Sequence, residues 1–182
     1  MFYTDDWVFF HIPKTSGTNI LERCKDAKIG WKYPIERHNP VWYWEEKYDI
    51  LDKKWYSVVR HPYTRAVSLW SYVTRQKISF EKFLDECVDV YKWFDKVPSD
   101  AETLWDLRST QCHLLDKRVK VFKMETELPF LEEELGFQFT NTRSKIGVYG
   151  GWKQWYNEDI AKKVYKLFYD DFEAFGYSNT YK

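Results

Sequence analysis

The chain has 182 residues, and its 28 Lys and Arg are balanced by 28 Asp and Glu. This length predicts a single domain covering residues 1–182. Zero net charge argues against a nucleic-acid partner, since a general nucleic-acid binder normally shows a basic excess. No apolar stretch reaches the roughly 20 residues that cross a membrane, and the first predicted strand starts too near Met1 to leave room for a signal peptide.

The three cysteines are scattered along the chain at Cys24, Cys87 and Cys112. Their number is odd, and their spacing fits neither a metal site nor a disulfide framework. We therefore expect reduced thiols in a cytoplasmic protein.

The hydrophobic pattern predicts strands that alternate with helices. In chain order it predicts strand Trp7–Ile12, helix Ser16–Ala27, strand Ile29–Tyr33, helix Trp42–Tyr48, strand Trp55–Val59, a helix from Pro62 to about Arg75, helix Phe80–Tyr91, strand Val119–Phe122, helix Leu128–Leu135 and helix Asn157–Phe175. Such alternation predicts an α/β fold, a three-layer sandwich with a central parallel sheet, in which ligands bind beyond the carboxyl ends of the strands.

The loop Lys14–Asn19 follows the first predicted strand and has the composition of an anion cradle. Gly17 allows the main chain to approach a ligand, Lys14 adds a charge, and the next helix presents unpaired N–H groups. Short polar donors come from Thr15, Ser16, Thr18 and Asn19. The alternative is an ordinary helix cap. The loop is not a Walker A motif, because Lys precedes its only Gly.

A second unusual segment follows the strand that ends at Val59. Arg60 lies at the strand end, and Ser68 lies about two turns into the next helix, a pairing of guanidinium and hydroxyl that suits a phosphate. Arg65 shares a helix face with Ser68. For Arg65, a ligand contact and a surface salt bridge are equal alternatives.

The segments "HIPKTSGT" and "VVRHPYTRAVS" together resemble the two cofactor motifs of sulfotransferases that use 3′-phosphoadenosine 5′-phosphosulfate (PAPS). The pattern "IPKT-x-GT" is most similar to the corresponding motif of the carbohydrate branch, which includes heparan and chondroitin 2-O-sulfotransferase-like enzymes. Weaker likeness in "STQCHLLD", "VKVFKMETELPFLEEELGF" and "FYDDFEAFGYS" extends the resemblance over most of the chain. The resemblance implies a P-loop-NTPase-like sulfotransferase fold. The chain is shorter than typical members and shows no membrane anchor like that of the Golgi-resident enzymes, so we expect a minimal soluble form of microbial or viral kind.

The resemblance also implies roles for individual residues. Lys14 would be catalytic and act on the leaving phosphate, Thr15–Asn19 would bind the phosphosulfate, and Arg60 with Ser68 would bind the 3′-phosphate. A late basic segment would cover the nucleotide, or else form a solvated turn, and consists of Arg143, Ser144 and Lys145. No metal is required by this chemistry.

A general base is needed to take the proton of the acceptor hydroxyl, and an imidazole suits this task near neutral pH. His38 follows the second predicted strand and is the candidate, with a capped loop histidine as the alternative and Glu36 as a second candidate base. His11 is expected to be a packed core residue inside the first strand. His61 and His113 have no predicted role.

The sequence thus predicts a sulfotransferase that moves the sulfuryl group of PAPS to a hydroxyl of a carbohydrate acceptor. The rings of Trp42, Tyr43 and Trp44 would suit a sugar face or an aromatic acceptor, or would simply fill the core. Two other functions stay open. One is a P-loop-like nucleotide kinase, although this loop does not have the Gly-Lys-Ser/Thr order of such enzymes. The other is a non-catalytic protein that binds an adenosine nucleotide.

Overall fold

The computed structural model describes residues 1–29, 32, 38–86, 110–136 and 151–181. The chain divides into two compact units, one made of Met1–Arg60 with His113–Ser144 and the other of His61–Cys112 with Lys145–Lys182. Each unit has buried hydrophobic clusters. The single domain predicted for residues 1–182 stays a prediction.

The first unit is built on a four-stranded sheet in the order β1–β2–β3–β4. The strands are β1 (Phe2–Tyr3), β2 (Trp7–Phe10), β3 (Lys54–Val59) and β4 (Lys120–Lys123). β2, β3 and β4 pair in parallel, which confirms the predicted α/β class and the parallel pairing. β1 pairs antiparallel with β2 and was not predicted, because two residues are too few to carry a pattern.

Alternate side chains of these strands point to opposite faces of the sheet, and each face carries its own hydrophobic cluster. On one face, Phe9 and Tyr56 pack with side chains of α1 (Gly17–Asp26) and α5 (Leu128–Leu135). On the other face, Phe10 packs with Val41 and Trp44 of α2 (Val41–Lys47). Helices therefore cover both faces of the sheet in this unit.

The second unit is helical in its described part. Its helices are α3 (Pro62–Thr74), α4 (Phe80–Asp85), α6 (Glu158–Leu167) and α7 (Tyr169–Phe175), with a 3₁₀ turn at Trp152–Trp155. Their shared core combines aliphatic and aromatic side chains, including Val67, Trp70, Phe83, Val164 and Phe172. No helix in the described ranges is both long and apolar enough to cross a membrane.

The predicted single helix Asn157–Phe175 is wrong, because α6 and α7 are separated at Phe168. Phe168 leaves the helical region of φ and ψ (φ −120°, ψ 27°), although its side chain is buried like those of Val164 and Phe172. The apolar spacing correctly identified the buried side chains. It could not reveal one non-helical residue, since the buried stripe continues through the break.

Other predicted elements differ at their ends or lie partly outside the described residues. The first strand ends at Phe10 rather than Ile12, and the helix at Phe80 extends to Asp85 before the undescribed residues 87–109 begin. Of the predicted strand Ile29–Tyr33, Lys32 forms an antiparallel bridge with Tyr3. The helix Leu128–Leu135 is confirmed and ends at Gly136, whose φ of 75° suits glycine.

Candidate anion site at the carboxyl edge of the sheet

Two neighbouring strands of the first unit end at the same edge of the sheet. Phe10 pairs with Ser57 in the parallel register, so the chain leaves β2 and β3 side by side. The residues that follow are the loop His11–Ser16 after β2 and Arg60 after β3. This edge is where the fold class places ligands.

The loop after β2 holds two non-glycine residues in the left-handed region, Lys14 with φ 68° and Ser16 with φ 71°. Such a conformation costs about 1–3 kcal/mol for each residue and persists only where surrounding contacts fix it. One such contact is the buried Thr15 hydroxyl, which donates to the Ile12 carbonyl at 3.0 Å. The loop is therefore a strained turn that is held in place.

The polar side chains of this loop have contacts within the first unit. The Ser16 hydroxyl donates to the Met124 sulfur at 3.2 Å, and Asn19 Oδ1 accepts from Arg23 Nε at 3.0 Å. Thr18 is exposed. Direct ligand contacts of Thr15, Ser16, Thr18 and Asn19 stay predictions.

Helix α1 begins at Gly17, where the lack of a side chain matters because of space rather than φ. A Cβ added at Gly17 would lie 1.9 Å from Cδ2 and 2.1 Å from Nε2 of His11. The ring of His11 thus occupies the place that any other residue at position 17 needs. The first N–H groups of α1 have no acceptor within their own helix, as at any helix N-terminus.

Arg60 and Lys14 are brought together by the pairing of β2 and β3. Arg60 Nη1 donates to the main-chain carbonyl of Lys14 at 3.3 Å. Burial lowers the pKa of Lys14, and the positive charge of Arg60 lowers the same pKa further. The charge of Arg60 therefore acts against that of Lys14, and a bound anion would offset this repulsion.

His38 is anchored at the same edge. Its Nδ1 lies 2.9 Å from the main-chain carbonyl oxygen of His11. A carbonyl only accepts hydrogen bonds, so Nδ1 carries the proton and Nε2 is the unprotonated nitrogen of the neutral ring. The two imidazoles meet edge to face, with ring centroids 4.5 Å apart.

The prediction for His11 needs correction. The sequence placed it inside the first strand as a packed core residue, but β2 ends at Phe10 and His11 is half-buried in the loop. Its contacts with Gly17 and His38 could not be read from the sequence, because they depend on where the strand stops and the loop turns.

The second motif contributes Arg65 and Ser68 to α3, in the second unit. Arg65 is 1% exposed and pairs with the fully buried Asp171 at 3.8 Å. Asp171 also accepts from Gln111 Nε2 at 3.1 Å and from the Cys112 N–H at 2.9 Å. The surface salt bridge considered for Arg65 is wrong, since the pair is buried. Ser68 is 3% exposed, and its sharing of a ligand with Arg60 stays a prediction.

Several predicted site residues lie outside the described part of the chain, namely Glu36, Arg143, Ser144 and Lys145. Among the other histidines, His61 accepts from the Tyr63 N–H and caps α3, while His113 is exposed. The capping role of His61 follows from its place before Pro62, which is a helix-start signal that the sequence contains.

The aromatic stretch in α2 divides between core and surface. Trp44 is fully buried, and its indole N–H donates to the Asn39 carbonyl at 2.9 Å. Trp42 is 58% exposed, and Tyr43 is half-buried. Trp44 therefore fills the core, whereas Trp42 presents its ring to solvent.

A cavity of about 470 Å³ lies at the other end of the strands, away from the predicted site. Its lining residues are Leu51, Lys53, Lys54, Trp55, Tyr56, Arg118 and Lys120. Arg118 pairs with Glu45 and Asp116, and Lys120 pairs with Glu134. Carboxylates of the protein itself thus balance these cations, and we assign the cluster to structure rather than to ligand binding.

Comparisons with protein-family models, with curated proteins and with solved structures find no match for this chain. The class defined by the described structure is an α/β protein with a mainly parallel sheet. The grounds for a function are therefore the geometry of the site and the resemblance of its motifs.

Proposed function

We propose that the chain is a PAPS-dependent sulfotransferase that transfers a sulfuryl group to an acceptor hydroxyl, of carbohydrate type, on a P-loop-NTPase-like sulfotransferase fold. The observation that carries the proposal is the contact of Arg60 with the Lys14 carbonyl, since it joins the two motifs that resemble the cofactor loops of that family.

The residues at this edge fit a ligand with more than one negative group. The N-terminus of α1 offers N–H donors, and Lys14 and Arg60 supply two positive charges. PAPS would bring to this site a sulfuryl group bonded to a 5′-phosphate. As the acceptor oxygen bonds to sulfur, the bond from sulfur to that phosphate would break and adenosine 3′,5′-bisphosphate would leave.

The chain's own groups would act by position and charge. Lys14 would hold a positive charge beside the oxygen on which negative charge develops. His38 Nε2 would accept the proton of the acceptor hydroxyl, while Nδ1–H keeps its hydrogen bond to the His11 carbonyl and orients the ring. Glu36 stays the second candidate for the base.

The first test is ligand-dependent thermal stability. Because a ligand that binds only the native state raises its stability, adenosine 3′,5′-bisphosphate should raise Tm more than ATP or adenosine 5′-phosphate does. Arg60→Ala should remove most of the extra shift given by the bisphosphate and leave the adenosine 5′-phosphate shift nearly unchanged.

The matched control is Arg75→Ala, which removes an exposed arginine that follows α3. This variant should respond to each nucleotide as the wild type does. Equal Tm shifts from the bisphosphate and from adenosine 5′-phosphate in the wild type would contradict a 3′-phosphate site. Incubation with labelled PAPS and a panel of glycans, phenols and small alcohols would then identify the acceptor.

A further inference from the structure

We infer that His11 is a positioning residue, which holds the candidate base His38 and the start of α1 at Gly17 in one fixed arrangement. The inference rests on the proposed function where it treats His38 as the base. The contacts that support it are geometric and do not depend on the reaction.

The main chain of His11 determines the protonation pattern of His38. The carbonyl oxygen lies 2.9 Å from His38 Nδ1 and accepts its proton, which leaves Nε2 as the basic nitrogen. If the carbonyl were turned away, this hydrogen bond would no longer hold the proton on Nδ1. The orientation of the peptide after His11 thus decides which nitrogen faces an acceptor.

The ring of His11 fixes that peptide by contacts on two sides. Three of its atoms, Cγ, Cδ2 and Nε2, lie within 2.5 Å of the place where a Cβ of residue 17 would stand. The ring also meets that of His38 at an interplanar angle of 69°. Because Cγ is next to the backbone, swinging the end of the side chain cannot clear this space. The whole ring must move, and His38 would lose its neighbour.

The consequence is a link between the anion loop and the base. Gly17 begins the helix whose N–H groups would face the anion, and His38 would take the proton, so a displacement of one shifts the other through His11. Glycine at position 17 is then required by the His11 ring, which fills the space that a ligand would otherwise approach.

A double-mutant cycle tests this link, with thermal unfolding and nitrogen NMR of the imidazoles as readouts. Gly17→Ala should lower Tm in the wild type, because the new Cβ displaces the ring. In the His11→Ala background the ring is gone, so Gly17→Ala should cause little further loss. The wild-type His38 should show one tautomer with Nδ1 protonated, and both tautomers should appear in Gly17→Ala and in His11→Ala.

His11→Phe is the matched control, because it keeps a planar ring in the same space. It should preserve the His38 tautomer. If His11→Ala does not fold, the His38 tautomer can still be compared between the wild type, His11→Phe and Gly17→Ala. Equal Tm losses from Gly17→Ala in both backgrounds, or a His38 tautomer unchanged in Gly17→Ala, would overturn the inference. A wild type with the expected tautomer and coupling but no response to adenosine 3′,5′-bisphosphate would instead refute the proposed function and leave the positioning role standing.

Discussion

Two groups of charged residues in this protein differ in how their charges are combined. In the second unit, the buried Arg65 lies beside the buried Asp171, whose oxygens also accept hydrogen bonds from Gln111 and from the Cys112 main chain. In the first unit, the like charges of Arg60 and Lys14 lie close enough for one to lower the pKa of the other. Around Asp171 opposite charges offset each other, while at the strand ends the charge of Arg60 acts against that of Lys14.

On the proposed function, the difference separates residues that stabilise the fold from residues that would bind a ligand. A buried pair of opposite charges is costly to break, because either partner left alone is an uncompensated buried charge. At the strand ends the charge of Arg60 opposes that of Lys14, so removing the Lys14 charge should not cost stability, and a bound anion should add stability. Mutations should therefore affect stability in one cluster and ligand chemistry in the other.

The largest effect on stability is expected from Asp171→Ala. Removing this carboxylate leaves the charge of Arg65 buried and takes away the acceptor of two hydrogen bonds, so the free energy of unfolding should fall by about 3–5 kcal/mol. Chemical denaturation measures the loss. The matched control is the exposed neighbour Asp170→Ala, which should cost less than about 1 kcal/mol at the start of α7. Similar losses in both variants would erase the contrast between the clusters.

Lys14→Met is expected to lower turnover without lowering stability, in contrast to Asp171→Ala. If the proposed function is right, turnover should fall by about 10²–10³-fold, the usual effect of losing one group that stabilises developing charge. Stability at pH 7 should not fall. A lowered pKa means that the folded chain binds the lysine proton less tightly than the unfolded chain does, so the charged side chain is destabilising there.

Lys25→Met in α1 is the control for Lys14→Met, because Lys25 is an exposed lysine in the helix that follows the loop. It should keep both turnover and Tm. A marked loss of Tm in Lys14→Met would show that Lys14 stabilises the fold. It would contradict the claim that the charges of Lys14 and Arg60 do not contribute to stability.

The smallest effect on stability is expected from loss of the Tyr56 hydroxyl, which makes a polar contact within the first unit. This hydroxyl donates to Glu134 Oε2 at 2.7 Å, and Tyr56→Phe should cost about 1 kcal/mol at neutral pH. Burial raises the pKa of Tyr56 to about 12 from 10.0, with further contributions from the hydrogen bond to Glu134 and its negative charge.

This pKa predicts a pH dependence with a definite sign. Since the folded chain holds the Tyr56 proton more tightly, the stabilising contribution is complete below pH 10.0 and is lost as the pH rises to about 12. The difference in unfolding free energy between wild type and Tyr56→Phe should shrink over that interval. Other tyrosines titrate in both proteins and cancel. A constant difference would mean that the pKa of Tyr56 is not raised.

The fold could be predicted where the pattern is local. The apolar runs of β2, β3 and β4 and the start and stop signals at Pro62 and Gly136 led to the right elements. The break at Phe168 was missed, because a continuous buried stripe conceals one non-helical residue.

The candidate site was predictable only in part. The motifs indicated Lys14 and Arg60, and parallel pairing brings their strand ends together. The roles of His11 and Arg65 were not predictable, because one depends on where a loop turns and the other on Asp171, which lies 106 positions further along the chain (171 − 65).

The left-handed backbone at positions 14 and 16 bears on how the loop sequence can vary. A main chain of that shape is easiest for glycine, and this chain has lysine and serine there instead. Folding alone would favour smaller residues at both places. Lys14→Gly or Ser16→Gly would therefore relieve local strain while removing an amine or a hydroxyl from the loop.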